Sequence, residues 1–233
     1  MTLEIEDRPS ESPFVERVWR SRSSEVDQMM AIASPRWALV FWEQAGRTRA
    51  TVIGPETHAS HAPVPEDAVF FGIDFALGAT LPHLALGRLV DGSMELPDTT
   101  SRSFRLLGSR WRIPSYDNAE AFVRCLVRED IVARDALVAD VAGGSAPDLS
   151  NRTVQRRFLA ATGLTRDAVR QIDRARHATV LLRDGVPTSQ VIERCGYYDQ
   201  PHLARSLRRF IGRTPKDVRS GRQTESMSLL YKT

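Results

Sequence analysis

The sequence predicts an α+β protein. A small β-rich N-terminal domain with trailing helices precedes an all-α C-terminal domain, in which a linker helix joins two similar helical units. Three observations lead to this fold class. Val69, Phe71, Ile73, Phe75 and Leu77 recur at every second position, as on a one-sided strand. Helical periodicity replaces that pattern from about Pro82 onward. Two amphipathic segments with matching capping residues begin at Leu149 and Gly196.

Strands dominate from Phe14 to about Leu77. The apolar run Trp37–Trp42 predicts a buried strand, and weaker strand patterns cover Val26–Ile32 and Arg49–Ile53. Turn signals at Ala45-Gly46 and Gly54-Pro55 separate these segments. They predict a small antiparallel sheet or barrel. Residues 1–13 are predicted to be a flexible lead.

Helices are predicted between about Pro82 and the middle of the chain. Phe104, Leu107 and Trp111 recur at helical offsets, and residues 118–133 carry a stripe of Phe122, Leu126 and Val127. The stretch 143–147, Gly-Gly-Ser-Ala-Pro, combines two helix breakers with small residues and marks a domain boundary. The predicted divisions are therefore 1–13, 14–144, 145–222 and a tail, 223–233.

The first helical unit follows that boundary. Ser150 is suited to cap a helix that begins at Asn151, and Gly163 is suited to end it. Val154, Phe158 and Ala161 form the apolar face. The opposite face carries Arg152, Gln155 and Arg156.

The second helical unit repeats this design. Ser189–Cys195 supplies apolar contacts, Gly196 makes a tight turn, and Asp199 caps the next helix, which ends at Gly212. Pro201 lies in the first turn of that helix, where its missing N–H costs little. The apolar stripe is Leu203, Leu207 and Phe210, and the polar side chains are Gln200, His202, Arg205 and Arg209. This order is a helix–turn–helix arrangement, whose second helix presents its polar face to a major groove.

A linker helix is predicted between the two units, over Arg166–Arg183. Eighteen residues at about 1.5 Å each span roughly 27 Å. This length approaches the ~34 Å between successive major grooves on one face of DNA. The two polar helix faces are therefore predicted to lie about one duplex turn apart.

Positive charge is concentrated in the C-terminal part. Residues 145–233 contain 17 Lys and Arg against 8 Asp and Glu, a net charge of +9, whereas residues 1–144 carry −6. This asymmetry favours a polyanionic partner for the basic part. A charged helix face alone is usually only solvated, but two capped units on one basic segment predict a protein that reads duplex DNA.

Residues 149–219 resemble the C-terminal DNA-binding domain of AraC/XylS-type transcriptional regulators. The resemblance is carried by LSNRTVQRRFLAATG, by RARHATVLL and by GYYDQPHLARSLRRFIGRTP, which is followed by Arg219. It implies sequence-specific binding of duplex DNA in a transcription factor. The residues that it places against DNA are Arg152, Gln155 and Arg156 in the first unit, and Gln200, Pro201, His202 and Arg205 in the second. Arg209 lies on the same polar face.

The resemblance also implies partners and an N-terminal domain. That domain is expected to be a cupin-like β-barrel that senses a small-molecule effector or forms a homodimer, and an activator would also contact RNA polymerase. A bound effector would be lined by aromatic residues of segments 37–42 and 69–77. One departure concerns Val141–Asp148, where the family places a helix. Gly143, Gly144 and Pro147 disfavour it, so the first unit is predicted to be shortened or held by Asp135–Val141.

The alternative is a barrel-type ligand sensor or metal-dependent enzyme whose C-terminal helices serve assembly and bind no DNA. Its metal ligands would be His58, His61 and His83 with Glu56 or Glu66. These histidines lie in a Pro-rich stretch without the spacing that aims two rings from one strand face. The sequence therefore predicts no metal site, no cofactor and no enzyme activity.

The remaining patterns concern compartment and membrane. Cys125 and Cys195 have no CxxC partner and fall on predicted apolar helix stripes, where buried thiols are idle. The acidic N-terminus lacks the apolar core of a signal peptide, and no uncharged run is long enough to span a bilayer. A cytoplasmic protein without a membrane partner is expected.

Overall fold

The computed structural model describes residues 2–24, 28–145, 148–220 and 226–227. The chain folds into two compact units. The first contains the described residues of 2–24, 36–55 and 65–166, and the second contains those of 28–35, 56–64 and 167–227. Within these described ranges, no helix is both long enough and apolar enough to cross a membrane.

A six-stranded antiparallel sheet forms the centre of the first unit. Its strands run in the order β1-β2-β7-β4-β5-β9. The strands predicted at 37–42, 49–53 and 69–77 are confirmed as its central members, and the turn at Ala45-Gly46 joins β4 to β5 with positive φ at both residues. The bounds are β1 Thr2–Pro9, β2 Val15–Ser24, β4 Ala38–Gln44, β5 Arg47–Ile53, β7 Val69–Phe75 and β9 Ser93–Glu95.

Aromatic side chains build the core beneath this sheet. Trp37 is buried and stacks on Phe75 with 3.6 Å between ring centroids. Phe41 contacts Phe71 and Phe104, at 5.7 Å and 5.1 Å between centroids. The aromatic residues expected to line an effector pocket thus pack against one another.

The first strand differs from the flexible lead predicted for residues 1–13. Thr2–Pro9 pairs with β2 along its whole length, from Thr2 opposite Ser24 to Pro9 opposite Arg17. Arg8 also donates to both carboxylate oxygens of Glu120, at 2.5 Å and 2.9 Å, and to the Tyr116 carbonyl at 2.7 Å. The ladder and this ion pair order a segment whose polar composition alone is typical of a loose end.

The helix predicted around Phe104 and Trp111 is wrong. Residues 82–113 contain a short 3-10 helix, Leu86–Leu89, and a hairpin of two strands, β10 Ser103–Leu106 and β11 Ser109–Arg112. Leu107 and Gly108 have φ of 50° and 86°, the backbone of a tight hairpin turn. Phe104 therefore lies directly opposite Trp111, an arrangement that produces the same spacing as a helical stripe.

Three helices complete the first unit. They are α1 Ala119–Arg128, α2 Ala136–Ala142 and α3 Asn151–Thr162. The same unit contains a two-stranded antiparallel pair, β8 Ala79–Thr80 with β12 Ala133–Arg134. Helix α3 packs on α2, on the 3-10 helix and on β8, so it belongs to the same compact unit as the sheet.

The second unit is mainly helical. Its helices are α4 Arg166–Arg183, α5 Thr188–Arg194, α6 Gln200–Ile211 and α7 Pro215–Ser220. The linker helix α4 has the bounds predicted from the sequence. A three-stranded sheet accompanies the helices, with β3 Gln28–Ala31 between β6 Ser60–Pro63 and β13 Ser226–Met227.

The last stretch of the first unit ends at residue 166, beyond α3, and the second unit also includes residues 28–35 and 56–64. The domain junction near 144–145 stays a prediction. The contacts of α3 with α2, the 3-10 helix and β8 keep it with the first unit. Apart from Ser226–Met227, the predicted tail 223–233 lies outside the described residues, as do residues 146–147 of the Gly-rich boundary.

Candidate nucleic-acid interface

Helix α3 presents one apolar and one polar face. Ser150 caps it by accepting a hydrogen bond from the Thr153 N–H at 3.3 Å, and Gly163 ends it in the left-handed conformation, as predicted. Val154, Phe158 and Ala161 are buried. The DNA-binding side chains predicted on this helix are all exposed, namely Arg152, Gln155 and Arg156.

Helix α2 packs against α3 and ends at Ala142, directly before the Gly-rich stretch. Asp135 caps α2 by accepting from the Val138 N–H at 3.1 Å. The same carboxylate accepts from Nε and Nη2 of Arg157 on α3, at 2.7 Å and 2.8 Å. The segment Asp135–Val141 therefore holds α3, the helix of the first helical unit, in agreement with the prediction that this segment supports it.

This ion pair changes the acidity of Asp135. Burial raises the pKa of the carboxyl group, but the hydrogen bonds from Arg157 and from the Val138 N–H outweigh it. The net pKa lies below its ordinary value. The carboxylate therefore stays charged, and keeps its hydrogen bonds with Arg157 of α3, at neutral pH.

Helix α6 has the same two-faced design in the second unit. Asp199 caps it by accepting from the His202 N–H at 2.7 Å, Pro201 lies in its first turn, and Gly212 ends it, as predicted. Leu203, Leu207 and Phe210 are buried. Among the predicted DNA-binding residues, His202 is half-buried, and the exposed ones are Gln200, Pro201, Arg205 and Arg209.

A buried aromatic residue fixes the turn before α6. Gly196 has φ of 66° and is followed by Tyr197, which is 5% exposed. The Tyr197 hydroxyl lies 3.0 Å from the Ser206 hydroxyl, and the Arg174 guanidinium of α4 lies 4.5 Å from the Tyr197 ring centroid. Burial raises the pKa of Tyr197, so its hydroxyl remains protonated and keeps a donor for Ser206.

His202 is oriented by the same turn. Its Nδ1 atom accepts a hydrogen bond from the Tyr198 N–H at 3.4 Å, and its ring meets the Tyr197 ring edge-to-face at 5.2 Å between centroids. A neutral histidine that accepts at Nδ1 carries its proton on Nε2. In this state, the ring offers an N–H donor at Nε2.

Two exposed side chains near these faces were missed in the sequence. Leu159 is 54% exposed on α3, one turn beyond Gln155 and Arg156, and Tyr198 is 90% exposed directly before the Asp199 cap. Both are apolar or aromatic residues that hydrophobicity alone assigns to a core. The helical position of Leu159, away from Val154 and Phe158, is the signal that could have identified it.

The residues of the alternative metal site are divided between the two compact units. Glu56, His58 and His61 belong to the second unit, while Glu66 and His83 belong to the first. Across the ranges that the structure describes, no three His, Cys, Asp or Glu side chains are grouped closely enough to hold a metal ion.

The thiols differ from their predicted burial. Cys125 is exposed, because the buried positions of α1 are Ala119, Val123 and Leu126. Cys195 is partly buried, and burial raises its pKa, which keeps the thiol protonated and unreactive at neutral pH.

A cleft of about 380 Å³ lies on the surface of the first unit. It is lined by Ile5, Glu6, Arg20, Ser21, Arg22 and Val69, on β1, β2 and β7. These are not the aromatic residues that the sequence nominated. Arg20 is paired with Glu6 at 2.6 Å, so part of the positive charge of the cleft is compensated.

Comparison with known proteins finds relatives for the C-terminal helices. Residues 146–221 match a family described as a helix-turn-helix domain. The chain is also 30% identical over 181 residues to the HTH-type transcriptional regulator VirS from two strains of Mycobacterium tuberculosis, CDC 1551 / Oshkosh and ATCC 25618 / H37Rv. The alignment covers 72% of this chain and 52% of each relative, so the chain spans about half the length of these relatives. No solved structure matches the chain.

Proposed function

We propose that this protein is an AraC-type transcriptional regulator that reads duplex DNA with α3 and α6 in adjacent major grooves. The match of residues 146–221 to a helix-turn-helix domain is the premise of this proposal. One observation carries the proposal. On each of these helices, the apolar side is buried, while Arg and Gln side chains of the opposite side are exposed. The domain match and the regulator relatives support it.

Roles follow from side-chain chemistry. Arg152, Arg156, Arg205 and Arg209 supply charge for phosphates, and a bidentate Arg also suits guanine O6 and N7. Gln155 and Gln200 suit the adenine edge. His202 donates through Nε2, and Pro201 shapes the first turn of α6 and contacts the groove wall. No catalytic role is assigned.

The N-terminal sheet is proposed to be the cupin-like sensing or oligomerising part of this regulator. A small-molecule effector, a second copy of the chain and, for an activator, RNA polymerase are its proposed partners, in the cytoplasm. The basis is the family resemblance together with the antiparallel architecture of the first unit.

Selection of bound duplexes from a randomised pool tests the proposal. The purified full chain should enrich a motif with two parts about one helical turn apart. Arg156→Ala should relax preference in one part, and Arg205→Ala should relax it in the other. If the protein shows no affinity for any duplex even at low salt, the C-terminal helices serve assembly, and the alternative stands.

A further inference from the structure

The C-terminal end of α6 is completed by residues from far earlier in the chain. The last carbonyls of a helix have no partner inside it. In α6, the Gly212 N–H bonds to the Arg208 carbonyl at 3.2 Å, as an ordinary C-cap does. The next two carbonyls, of Arg209 and Phe210, accept from the N–H groups of Ala59 and Ala33, each at 2.8 Å.

Ala33 also contacts the linker helix. The guanidinium of Arg176 on α4 donates to the Ala33 carbonyl at 2.9 Å, and Arg176 is only 4% exposed. Residue 33 thus uses its N–H for α6 and its C=O for α4. A buried arginine is costly unless it is well hydrogen-bonded, so this contact ties the charge to the position of α4 relative to α6.

The two capping donors are held together by strand pairing. β3 and β6 are antiparallel, with Ala31 opposite Ser60. Beyond them, Ser34 and Glu56 exchange both backbone hydrogen bonds, at 3.0 Å and 2.8 Å. Residues 28–34 and 56–63 therefore form one small element, named here the capping ladder.

Side chains of the capping ladder fit closely against the end of α6. Ile32 and Ala33 are fully buried. A Cβ atom at Gly212 would lie 2.6 Å from Sδ of Met30 and 3.1 Å from its Cε. The Met30 side chain therefore lies directly over Gly212, where an added Cβ atom would have to displace it.

We propose that the capping ladder is a working part of the DNA-reading unit: it positions α6 against α4, with Arg176 as a positioning residue. The inference rests on the proposed function for its effect on DNA. Arg209 lies in the capped turn and Arg205 one turn earlier, so a displaced helix end moves both side chains that face the groove. A C-terminal domain of residues 145–222 alone lacks this element.

The first test compares Arg176→Met with Arg170→Met in the full-length chain. Arg170 lies on the same helix and is exposed, so its variant removes the same charge without touching the ladder. We expect Arg176→Met to reduce discrimination at the base pairs read by α6 by about tenfold, which is the discrimination that one bidentate contact to a base edge supplies. Discrimination at the base pairs read by α3 should not change, and Arg170→Met should leave both unchanged.

Equal loss at both sets of base pairs would overturn the proposal, since general destabilisation has that effect. Unchanged discrimination would overturn it too. Arg176→Lys should recover part of the loss because it keeps a charged donor.

A second test uses a different variant and applies if the Arg176→Met chain does not fold. Gly212→Ala introduces the clash with Met30, while Gly185→Ala has similar backbone strain, φ 82° against 73°, in open space. We expect Gly212→Ala to lose more α6 discrimination than Gly185→Ala, because its Cβ atom displaces the buried Met30 side chain of the ladder, and the added change Met30→Ala to remove the excess. Equal discrimination in Gly212→Ala and Gly185→Ala, together with unchanged amide exchange at Ala33 and Ala59 in Gly212→Ala, would overturn the proposal.

Amide hydrogen exchange separates this proposal from the proposed function. In the free protein, Arg176→Met should speed exchange at Ala33 and Ala59 and in the last turn of α6, relative to α3. Unchanged exchange there would contradict the ladder whatever the protein binds. If the wild-type chain prefers no duplex, yet Arg176→Met shows this faster exchange, the proposed function alone is contradicted.

Discussion

At the scale of single residues, Arg205 is the sharpest test of DNA readout. It is exposed on α6 between the buried Leu203 and Leu207. We expect Arg205→Ala to weaken binding to the selected duplex by about 1–3 kcal/mol and to relax preference at one position, because a bidentate contact to a base edge is lost. Quantitative gel-shift titration with the selected duplex and its single-base variants measures both effects.

Arg128→Ala is the matched control for that change. Arg128 is exposed at the end of α1, outside both proposed reading helices, and its removal lowers the net charge by the same amount. Base preference should not change in this variant. Wild-type affinity and preference in Arg205→Ala would remove Arg205 from the readout.

At the scale of elements, the ion pair of Arg8 and Glu120 ties β1 to α1. The hydrogen bonds from Arg8 outweigh the effect of burial and lower the pKa of Glu120 to about 2. A lowered carboxyl pKa contributes stability above the unfolded value, near pH 4.5, and that stability is lost as the pH falls toward 2. We expect Glu120→Gln to lower the free energy of unfolding by about 1 kcal/mol at pH 7. Urea denaturation at pH 7, 4 and 2.5 should show the difference from wild type shrinking with acidity.

A difference that stays constant across this range would show that the effect of Glu120→Gln is not electrostatic. Glu129→Gln, at an exposed position beyond α1, is the control and should have little effect on the free energy of unfolding at any of these pH values.

The two helix caps offer a second comparison between elements. Asp199 accepts from the His202 N–H at 2.7 Å and brings negative charge to the start of α6, whereas Ser150 accepts at 3.3 Å and is neutral. We therefore expect Asp199→Ala to cost about 1–2 kcal/mol of stability and Ser150→Ala about 0.5–1 kcal/mol. Urea unfolding of both variants at neutral pH measures the order, and a larger loss for Ser150→Ala would contradict it.

At the scale of the whole molecule, charge asymmetry governs affinity for DNA. Residues 145–233 carry a net charge of +9 and residues 1–144 carry −6. Neutralising phosphates releases counterions, so affinity for random duplex should fall steeply, about 10³-fold or more between about 50 and 200 mM salt for roughly six contacts. Fluorescence anisotropy across this range measures the slope. A flat response would contradict a phosphate-dominated interface.

Local features of the helices could be predicted from the sequence. The caps at Ser150 and Asp199, the ends at Gly163 and Gly212, and the bounds of α4 depend on neighbouring residues and on helical periodicity, and all agree with the structure. The exposed positions of Arg152, Gln155, Arg156, Arg205 and Arg209 follow from the same periodicity. Their role in binding DNA stays a prediction.

The amino-acid sequence by itself determined the two-faced helices, their caps and the family resemblance, because these depend on short-range spacing. Only the tertiary structure decided that Phe104 and Trp111 face each other across a hairpin, and that Thr2–Pro9 is a strand. It also decided that Ala33 and Ala59 complete a helix more than 140 residues later. The physical reason is that the backbone N–H and C=O groups are the same in nearly every residue, so the residue types do not indicate which groups will pair. Which distant segment satisfies them is settled by the packing of the whole chain.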